Sequence, residues 1–109
     1  MFYTPTTTGF TLPATRIGDA DFIHCSVPHR AMGSPNVLVN SIPWSREGDY
    51  NDPHLLPCDC PPCCCFHAAK ISTGSKTVFV NGQGAGRMFD RIKKCTAVAQ
   101  GSPNVLCGG

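Results

Sequence analysis

The sequence has few charged and aromatic residues and no long apolar segment, and each shortage excludes a class of protein. Charged residues make up 15% of the 109 residues, and aromatic residues make up 8%. No segment approaches the roughly 18 consecutive apolar residues that a membrane-spanning helix requires. Ile, Leu, Val and Phe together number 23, which is too few for a large core. The low charge is also unlike that of a typical disordered chain.

A strong excess of one charge and a secretion signal are also missing. The formal net charge is only +2, which does not favour nucleic-acid binding. The first basic residue is Arg16, and no apolar segment precedes it, so we expect no signal peptide. Thiols stay reduced in the cytosol, where cysteines more often bind metals than form disulfides.

Glycine, proline, cysteine and histidine are abundant instead. The chain has 11 Gly, 10 Pro, 8 Cys and 4 His. Gly and Pro recur throughout and disfavour helix, so that residues 88–94 are the only segment with any helical character. We therefore expect a small all-β fold whose thin core is supplemented by Cys and His chemistry.

Two short motifs each occur three times. GSPNVLVN, GSKTVFVN and GSPNVLCG begin at Gly33, Gly74 and Gly101, and predict turns leading into strands near residues 37–39, 78–80 and 105–106. PATRIGD, PWSREGD and GAGRMFD begin at Pro13, Pro43 and Gly84, and share Arg at their fourth place and Asp at their seventh. Excursions of different length follow each Asp. This pattern predicts three β units related by pseudo-threefold symmetry, with the excursions on one side.

The repeated polar residues favour structural roles. The Arg–Asp pairs predict ion pairs or turn hydrogen bonds, since threefold repetition argues against catalysis. The repeated serines predict hydroxyl-to-backbone bonds in turns. Asn81 and Gly82 are a strong hairpin-turn signal.

A metal ligand stands five residues after each repeat aspartate. These residues are His24, His54 and Cys95, and a threefold axis would bring them together. A tetrahedral site needs a fourth ligand, for which we favour His67 over His29, Cys25 and Cys65. Mixed nitrogen and sulfur ligands favour zinc, with iron as the second choice. Four protein ligands would close the site and make it structural.

The longest excursion contains the cluster CDCPPCCCFH. Its thiols are Cys58, Cys60, Cys63, Cys64 and Cys65. Cys60 and Cys63 form a C-x-x-C pair that could hold a second metal; the alternative is a set of surface thiols. We expect Cys25 and Cys107 to act as small apolar residues.

Over about residues 13–109, the sequence resembles PAAR-repeat proteins. Its counterparts of the Pro-Ala-Ala-Arg tetrapeptide are PATR at 13–16, PWSR at 43–46 and GAGR at 84–87. R-x-G-D follows at Arg16 and Arg46, and GSPNV at Gly33 continues the likeness. The third copy departs from it, because Phe89 replaces the glycine. The resemblance divides the chain into an N-terminal segment, 1–12, and a PAAR-repeat domain, 13–109.

The resemblance implies a cone with zinc near its apex, held by three histidines and one cysteine. Those ligands correspond to His24, His54, His67 and Cys95. It further implies a structural protein, not an enzyme, that caps the trimeric β-helical spike of a type VI secretion system or contractile phage tail. It would reside in the phage tail baseplate, or in the bacterial cytoplasm before ejection. Its other expected contacts are a target outer membrane and a separate effector chain, with no nucleic acid.

Two alternatives belong to other classes of protein. A zinc or thiol redox enzyme would use the cysteine cluster and an open metal position. A free-standing zinc-binding interaction module, for example one for nucleic acid, would need a basic face, and the net charge of +2 argues against it.

Overall fold

A computed structural model describes residues 11–23, 26–57 and 64–109. Within these ranges the protein consists of short strands, isolated bridges and turns, and it contains no helix. The strands are β1 Thr11–Pro13, β2 Leu38–Val39, β3 Ile42–Pro43, β4 His54–Pro57, β5 Cys64–His67, β6 Phe79–Val80, β7 Gln83–Gly84 and β8 Leu106–Gly108. The all-β expectation is confirmed for these residues, and 88–94 forms turns and bridges. Nothing in this part of the chain is a helix with the length and hydrophobicity needed to cross a membrane.

Three antiparallel strand pairs occupy equivalent places in the repeats. β2 pairs with β3, and β6 with β7, across tight turns, while β8 pairs with β1. Asn81 and Gly82 have φ angles of 54° and 78°, which confirms the predicted hairpin turn. Thr11 and Leu12, which the resemblance assigns to the N-terminal segment, belong to β1 because they pair with Gly108 and Cys107.

Three buried residues form a closed ring of backbone hydrogen bonds, which we call the axial ring. Ser45 N–H donates to Thr15 O at 3.0 Å, Thr15 N–H to Gly86 O at 3.1 Å, and Gly86 N–H to Ser45 O at 2.9 Å. Each residue holds the third place of its motif, so the bonds run in one direction around a pseudo-threefold axis. Neighbouring motifs also bridge cyclically, at Arg16–Trp44, Arg46–Ala85 and Arg87–Ala14.

A second cyclic layer follows the repeat aspartates. Each excursion ends in a short return segment, at residues 29–30, 70–71 and 97–98. The first residue after each Asp pairs with the return segment of its own repeat. The second residue pairs with the return segment of another repeat. The bridges are Ala20–His29, Tyr50–Lys70 and Arg91–Ala97 within repeats, and Asp21–Val98, Asn51–Arg30 and Ile92–Ile71 between them. One repeat alone cannot bury its apolar face, so this exchange of partners closes the layer.

Two small apolar clusters fill the interior. The first consists of Ala69, Ile71, Ile92 and Val98, with Cys95 packed against it. The second consists of Val80, Ala85 and Cys107, with Val37, Trp44 and Val78 beside it. Cys107 thus packs as the small apolar residue that the sequence predicts, in the place that Val39 and Val80 hold in the other repeats.

The repeat Arg–Asp pairs have the structural role that was predicted. In each repeat, the Arg guanidinium donates to both oxygens of the Asp carboxylate, which also accepts the backbone N–H of the Arg. The pairs are Arg16–Asp19, Arg46–Asp49 and Arg87–Asp90, and their ion-pair distances are 3.0, 2.8 and 2.8 Å. The remaining guanidinium nitrogen reaches the next strand pair along the chain, at Asn40, Asn81 or the Gly108 carbonyl.

The repeat serines tie neighbouring repeats together. Each hydroxyl accepts backbone N–H groups two and three residues later, as predicted for these turns. Ser34 donates to Asn81, Ser75 to the Gly108 carbonyl and Ser102 to Asn40. Each bond links one repeat to the strand pair of another, again in a single rotational direction.

Phe89 is strained relative to its counterparts. Gly18 and Gly48 have φ angles of 89° and 93°, and Phe89 is held at 71°. A bulky residue in left-handed backbone costs about 1–2 kcal/mol. The ring of Phe89 stacks on Phe22, with centroids 6.4 Å apart, and this contact offsets part of the strain.

Phe89→Gly is therefore expected to raise the free energy of unfolding by about 1 kcal/mol in a Phe22→Ala background, where no stacking can be lost. In the wild-type background the gain should be smaller. Denaturant unfolding of the two single variants and the double variant measures both effects. An equal gain in both backgrounds would show that the stacking contributes nothing.

Candidate metal centre

Two histidines, His54 and His67, face each other across the strand pair formed by β4 and β5. His54 is the first residue of β4 and His67 is the last residue of β5, and they are directly opposite in the antiparallel register. Opposed residues project from the same face of a sheet, so the pairing of β4 with β5 brings the two imidazoles together. Cys95 comes from another repeat, at a tight turn where its N–H donates to the Ile92 carbonyl at 3.0 Å.

The donor atoms of these three residues converge on one point. His54 Nε2 lies 2.9 Å from His67 Nε2 and 3.2 Å from Cys95 Sγ. All three donor atoms lie within 4.8 Å of one another. Tetrahedral zinc with ordinary bond lengths would separate nitrogen and sulfur ligands by about 3.3–3.6 Å. Both separations from His54 Nε2 therefore fall only a few tenths of an ångström short of those in a zinc site.

A hydrogen bond to the backbone fixes the orientation of the His54 imidazole. Its Nδ1–H donates to the Asp52 carbonyl at 2.7 Å. The proton on Nδ1 leaves a lone pair on Nε2 of the neutral ring, and Nε2 is the atom that faces His67 and Cys95. Metal-binding histidines in proteins are held in this manner. The side chain of His54 is buried, which further restricts its rotation.

The Cys95 thiol lies at the edge of the apolar cluster around Ile92. Burial raises the pKa of the Cys95 thiol, and a hydrogen bond from Asn51 acts in the opposite direction. A metal ion selects the thiolate and would oppose the effect of burial. Two imidazole nitrogens and one sulfur suit a borderline or soft transition-metal ion better than magnesium or calcium. His54, His67 and Cys95 could therefore hold a metal ion.

The structure does not bring every candidate ligand to this point. His24 and Cys25 lie outside the described residues. His29 is exposed and interacts with Asp52 instead: its N–H donates to Oδ1 at 3.0 Å, and its Nδ1 lies 3.8 Å from Oδ2.

The cysteine cluster is only partly described. Cys58, Cys60 and Cys63 lie outside the described residues, whereas the backbone of Cys64 and Cys65 belongs to β5. A second metal held by the C-x-x-C pair therefore stays a prediction.

A buried polar network next to the site was not predicted. Arg30 is 1% exposed and pairs with Asp21 through Nη2 and Oδ2 at 3.2 Å. Asn51 Nδ2 donates to the same carboxylate oxygen at 3.0 Å. Arg30 occupies a return-segment position that holds Ile71 and Val98 in the other repeats. The contrast between Arg30 and these two apolar residues is the sequence signal that could have revealed the network. It becomes visible only once the three return segments are aligned.

Burial has opposite effects on the two charged partners. It raises the pKa of Asp21, with Arg30 and Asn51 opposing the rise. It lowers the pKa of Arg30, with Asp21 opposing that change. Each group therefore depends on the other to remain charged in the interior.

The chain matches no protein-family model, and no curated protein matches it significantly.

Proposed function

We propose that this chain is a PAAR-like spike tip that caps a trimeric β-helical spike in a type VI secretion system or a contractile phage tail. The observation that carries the proposal is the axial ring, in which one chain closes three equivalent motifs around a pseudo-threefold axis. A monomer with this arrangement can sit on a true threefold partner without a mismatch of symmetry. The proposed role is mechanical and not catalytic.

The three equivalent strand pairs present matching apolar side chains. Leu38, Phe79 and Leu106 open β2, β6 and β8 and are 54%, 60% and 59% exposed. The next residue of each strand is buried, so alternation along the strands directs these side chains outward. Their partners Pro43, Gly84 and Pro13 also hold equivalent places. Such a set supports docking on the three equivalent chains of a spike.

Zinc is the metal that we propose for the candidate centre, with iron as the second choice. His54, His67 and Cys95 would hold it, and His24 is the proposed fourth ligand. Bound zinc would supply folding free energy and join excursions from different repeats. A chain with a thin core benefits from such a cross-link when it is driven through an outer membrane. A separate effector chain could travel with the tip from the bacterial cytoplasm.

Replacing the exposed apolar set should abolish tight binding to the spike. We expect Leu38→Ser/Phe79→Ser/Leu106→Ser to lower affinity for the trimeric spike about 100-fold, since each side chain would contribute about 1 kcal/mol on burial. Surface plasmon resonance or co-purification with a trimeric β-helical spike protein measures the loss. Single substitutions should weaken binding by similar amounts, because the three positions are equivalent.

A matched variant tests whether the loss of spike binding is specific to this surface or would follow from replacing any exposed apolar residues. Ile23 and Val27 are also exposed apolar residues, at 67% and 46%, but they belong to an excursion. Ile23→Ser/Val27→Ser should bind the spike like the wild type. Equal binding by the triple variant and the wild type, or failure of the wild type to bind any trimeric spike, would refute the proposed docking.

A further inference from the structure

A chain of polar contacts connects the buried ion pair to the candidate metal ligand Cys95. Arg30 Nη2 donates to Asp21 Oδ2 at 3.2 Å, and Asn51 Nδ2 donates to the same oxygen at 3.0 Å. Asn51 Nδ2 also lies 3.9 Å from Cys95 Sγ, a distance suited to a weak N–H···S hydrogen bond. All members of this chain except Cys95 are fully buried.

The orientation of the Asn51 amide is determined by its surroundings. Oδ1 accepts the backbone N–H of Ala69 at 2.8 Å, so Nδ2 cannot exchange places with it. Nδ2 carries two hydrogens, and two acceptors lie within reach, Asp21 Oδ2 and Cys95 Sγ. The amide therefore uses its full donor capacity, and one hydrogen is directed at the sulfur.

We infer that Asn51 is a positioning residue for the metal centre, and that the Arg30–Asp21 pair supports it from the interior. Asn51 orients the sulfur and donates to the thiolate that a bound metal requires. Asp21 holds the Asn51 amide, and Arg30 balances the negative charge of Asp21. The inference rests on the metal centre of the proposed function.

Symmetry argues that this network has a purpose beyond filling space. The positions equivalent to Arg30 hold Ile71 and Val98, and the position equivalent to Asn51 in the third repeat holds Ile92. Apolar residues therefore suit this layer, and a buried ion pair is often no more stabilising than well-packed hydrophobic residues. Within the described residues, Asp21 Oδ1 and Arg30 Nε are buried without a hydrogen-bond partner. Buried polar atoms without hydrogen-bond partners are destabilising, so a contribution to stability alone does not account for this network.

The decisive test compares metal affinity with stability in a variant that keeps the acceptor but removes the donor. Asn51→Asp retains an oxygen for the Ala69 N–H and places a carboxylate oxygen where Nδ2 faces Cys95. We expect its dissociation constant for Zn²⁺, from chelator competition, to rise 10–100-fold. The sulfur-to-metal charge-transfer band of the Co²⁺ form should also shift. Asn36→Asp makes the same charge change on an exposed turn and should leave both readouts unchanged.

A double variant tests the ion pair and remains informative if Asn51→Asp fails to fold. Arg30→Met/Asp21→Leu removes both buried charges together and should leave the stability of the metal-free protein equal or higher. We expect its Zn²⁺ dissociation constant to rise about tenfold, because the Asn51 amide loses its anchor.

The outcomes separate this inference from the proposed centre. Wild-type affinity in Asn51→Asp, or a loss no greater than that of Asn36→Asp, overturns the role of Asn51 and leaves the centre intact. Wild-type affinity in the double variant overturns the role of the ion pair. If the wild type binds no metal, or if His54→Ala binds it equally well, both the centre and the inference are wrong.

Discussion

Removing a metal ion held by His54, His67 and Cys95 is expected to lower the midpoint of thermal unfolding by about 20 °C. Free metal at about 1,000 times its dissociation constant stabilises a folded protein by about 4 kcal/mol. In a domain of about 100 residues, each kcal/mol shifts the midpoint by about 4–8 °C. The effect should be large because a metal held by His54, His67 and Cys95 would join β4 and β5 to the turn that carries Cys95. Thermal unfolding with and without a strong chelator, under reducing conditions, measures the shift.

The histidines provide a matched control for this prediction. His54→Ala should unfold at the chelated midpoint and should not respond to chelator, since it removes the buried donor at the centre of the group. His29→Ala removes an exposed imidazole that interacts with Asp52, and it should keep the full response. A chelator response retained by His54→Ala would instead assign the metal to other residues, with the cysteine cluster as the first candidate. The prediction fails if chelator leaves the wild-type midpoint unchanged.

The repeated motifs carried enough information to predict the regular part of the fold. Arg and Asp recur at fixed spacing because each pair closes a turn locally, within three residues. The serines recur because each hydroxyl satisfies backbone groups of its own turn. Such short-range interactions leave a pattern in the sequence, and the pattern implied threefold repetition. His54 and Cys95 came from the same reasoning, because equal offsets in related repeats lead to nearby positions.

The features that escaped prediction depend on partners far apart in sequence. β1 pairs with β8 across almost the whole described chain, and no local signal in Thr11 or Leu12 announces that partner. Arg30 contacts Asp21 and the Asp49 carbonyl, so its burial becomes visible only when the second cyclic layer is assembled. A charged residue in a Gly- and Pro-rich chain is otherwise expected at the surface.

The exposed apolar set, Leu38, Phe79 and Leu106, could be predicted only in part. The repeated motifs predicted strands that contain Val39 and Val80, but not which side chains of those strands face outward. Both are buried, because the second cluster and Trp44 lie behind these strands. Their neighbours Leu38 and Phe79 are the outward residues. A two-residue strand offers too little periodicity to determine which of its side chains faces inward.

Gly86→Ala is expected to destabilise the protein by more than about 3 kcal/mol, because overpacking at a buried site is compounded by lost hydrogen bonds. A Cβ atom at Gly86 would lie 2.5 Å from the Ser45 carbonyl oxygen and 3.0 Å from Thr15 Cγ2. The first contact is with backbone, so no side-chain rotation can relieve it. Moving Ser45 away would break the Gly86-to-Ser45 bond and open the axial ring.

The ring makes this damage cooperative. The Gly86 carbonyl accepts both the Thr15 N–H and the Trp44 indole N–H, at 3.1 and 2.9 Å, so displacement of one segment disturbs the other two. Gly82→Ala is the matched control, since its Cβ would meet nothing within 4 Å although φ is +78°; it should cost only about 1 kcal/mol. Denaturant unfolding of both variants with metal bound measures the difference. A loss in Gly86→Ala no greater than that in Gly82→Ala would mean that the axial ring tolerates the added Cβ atom, which would contradict the prediction.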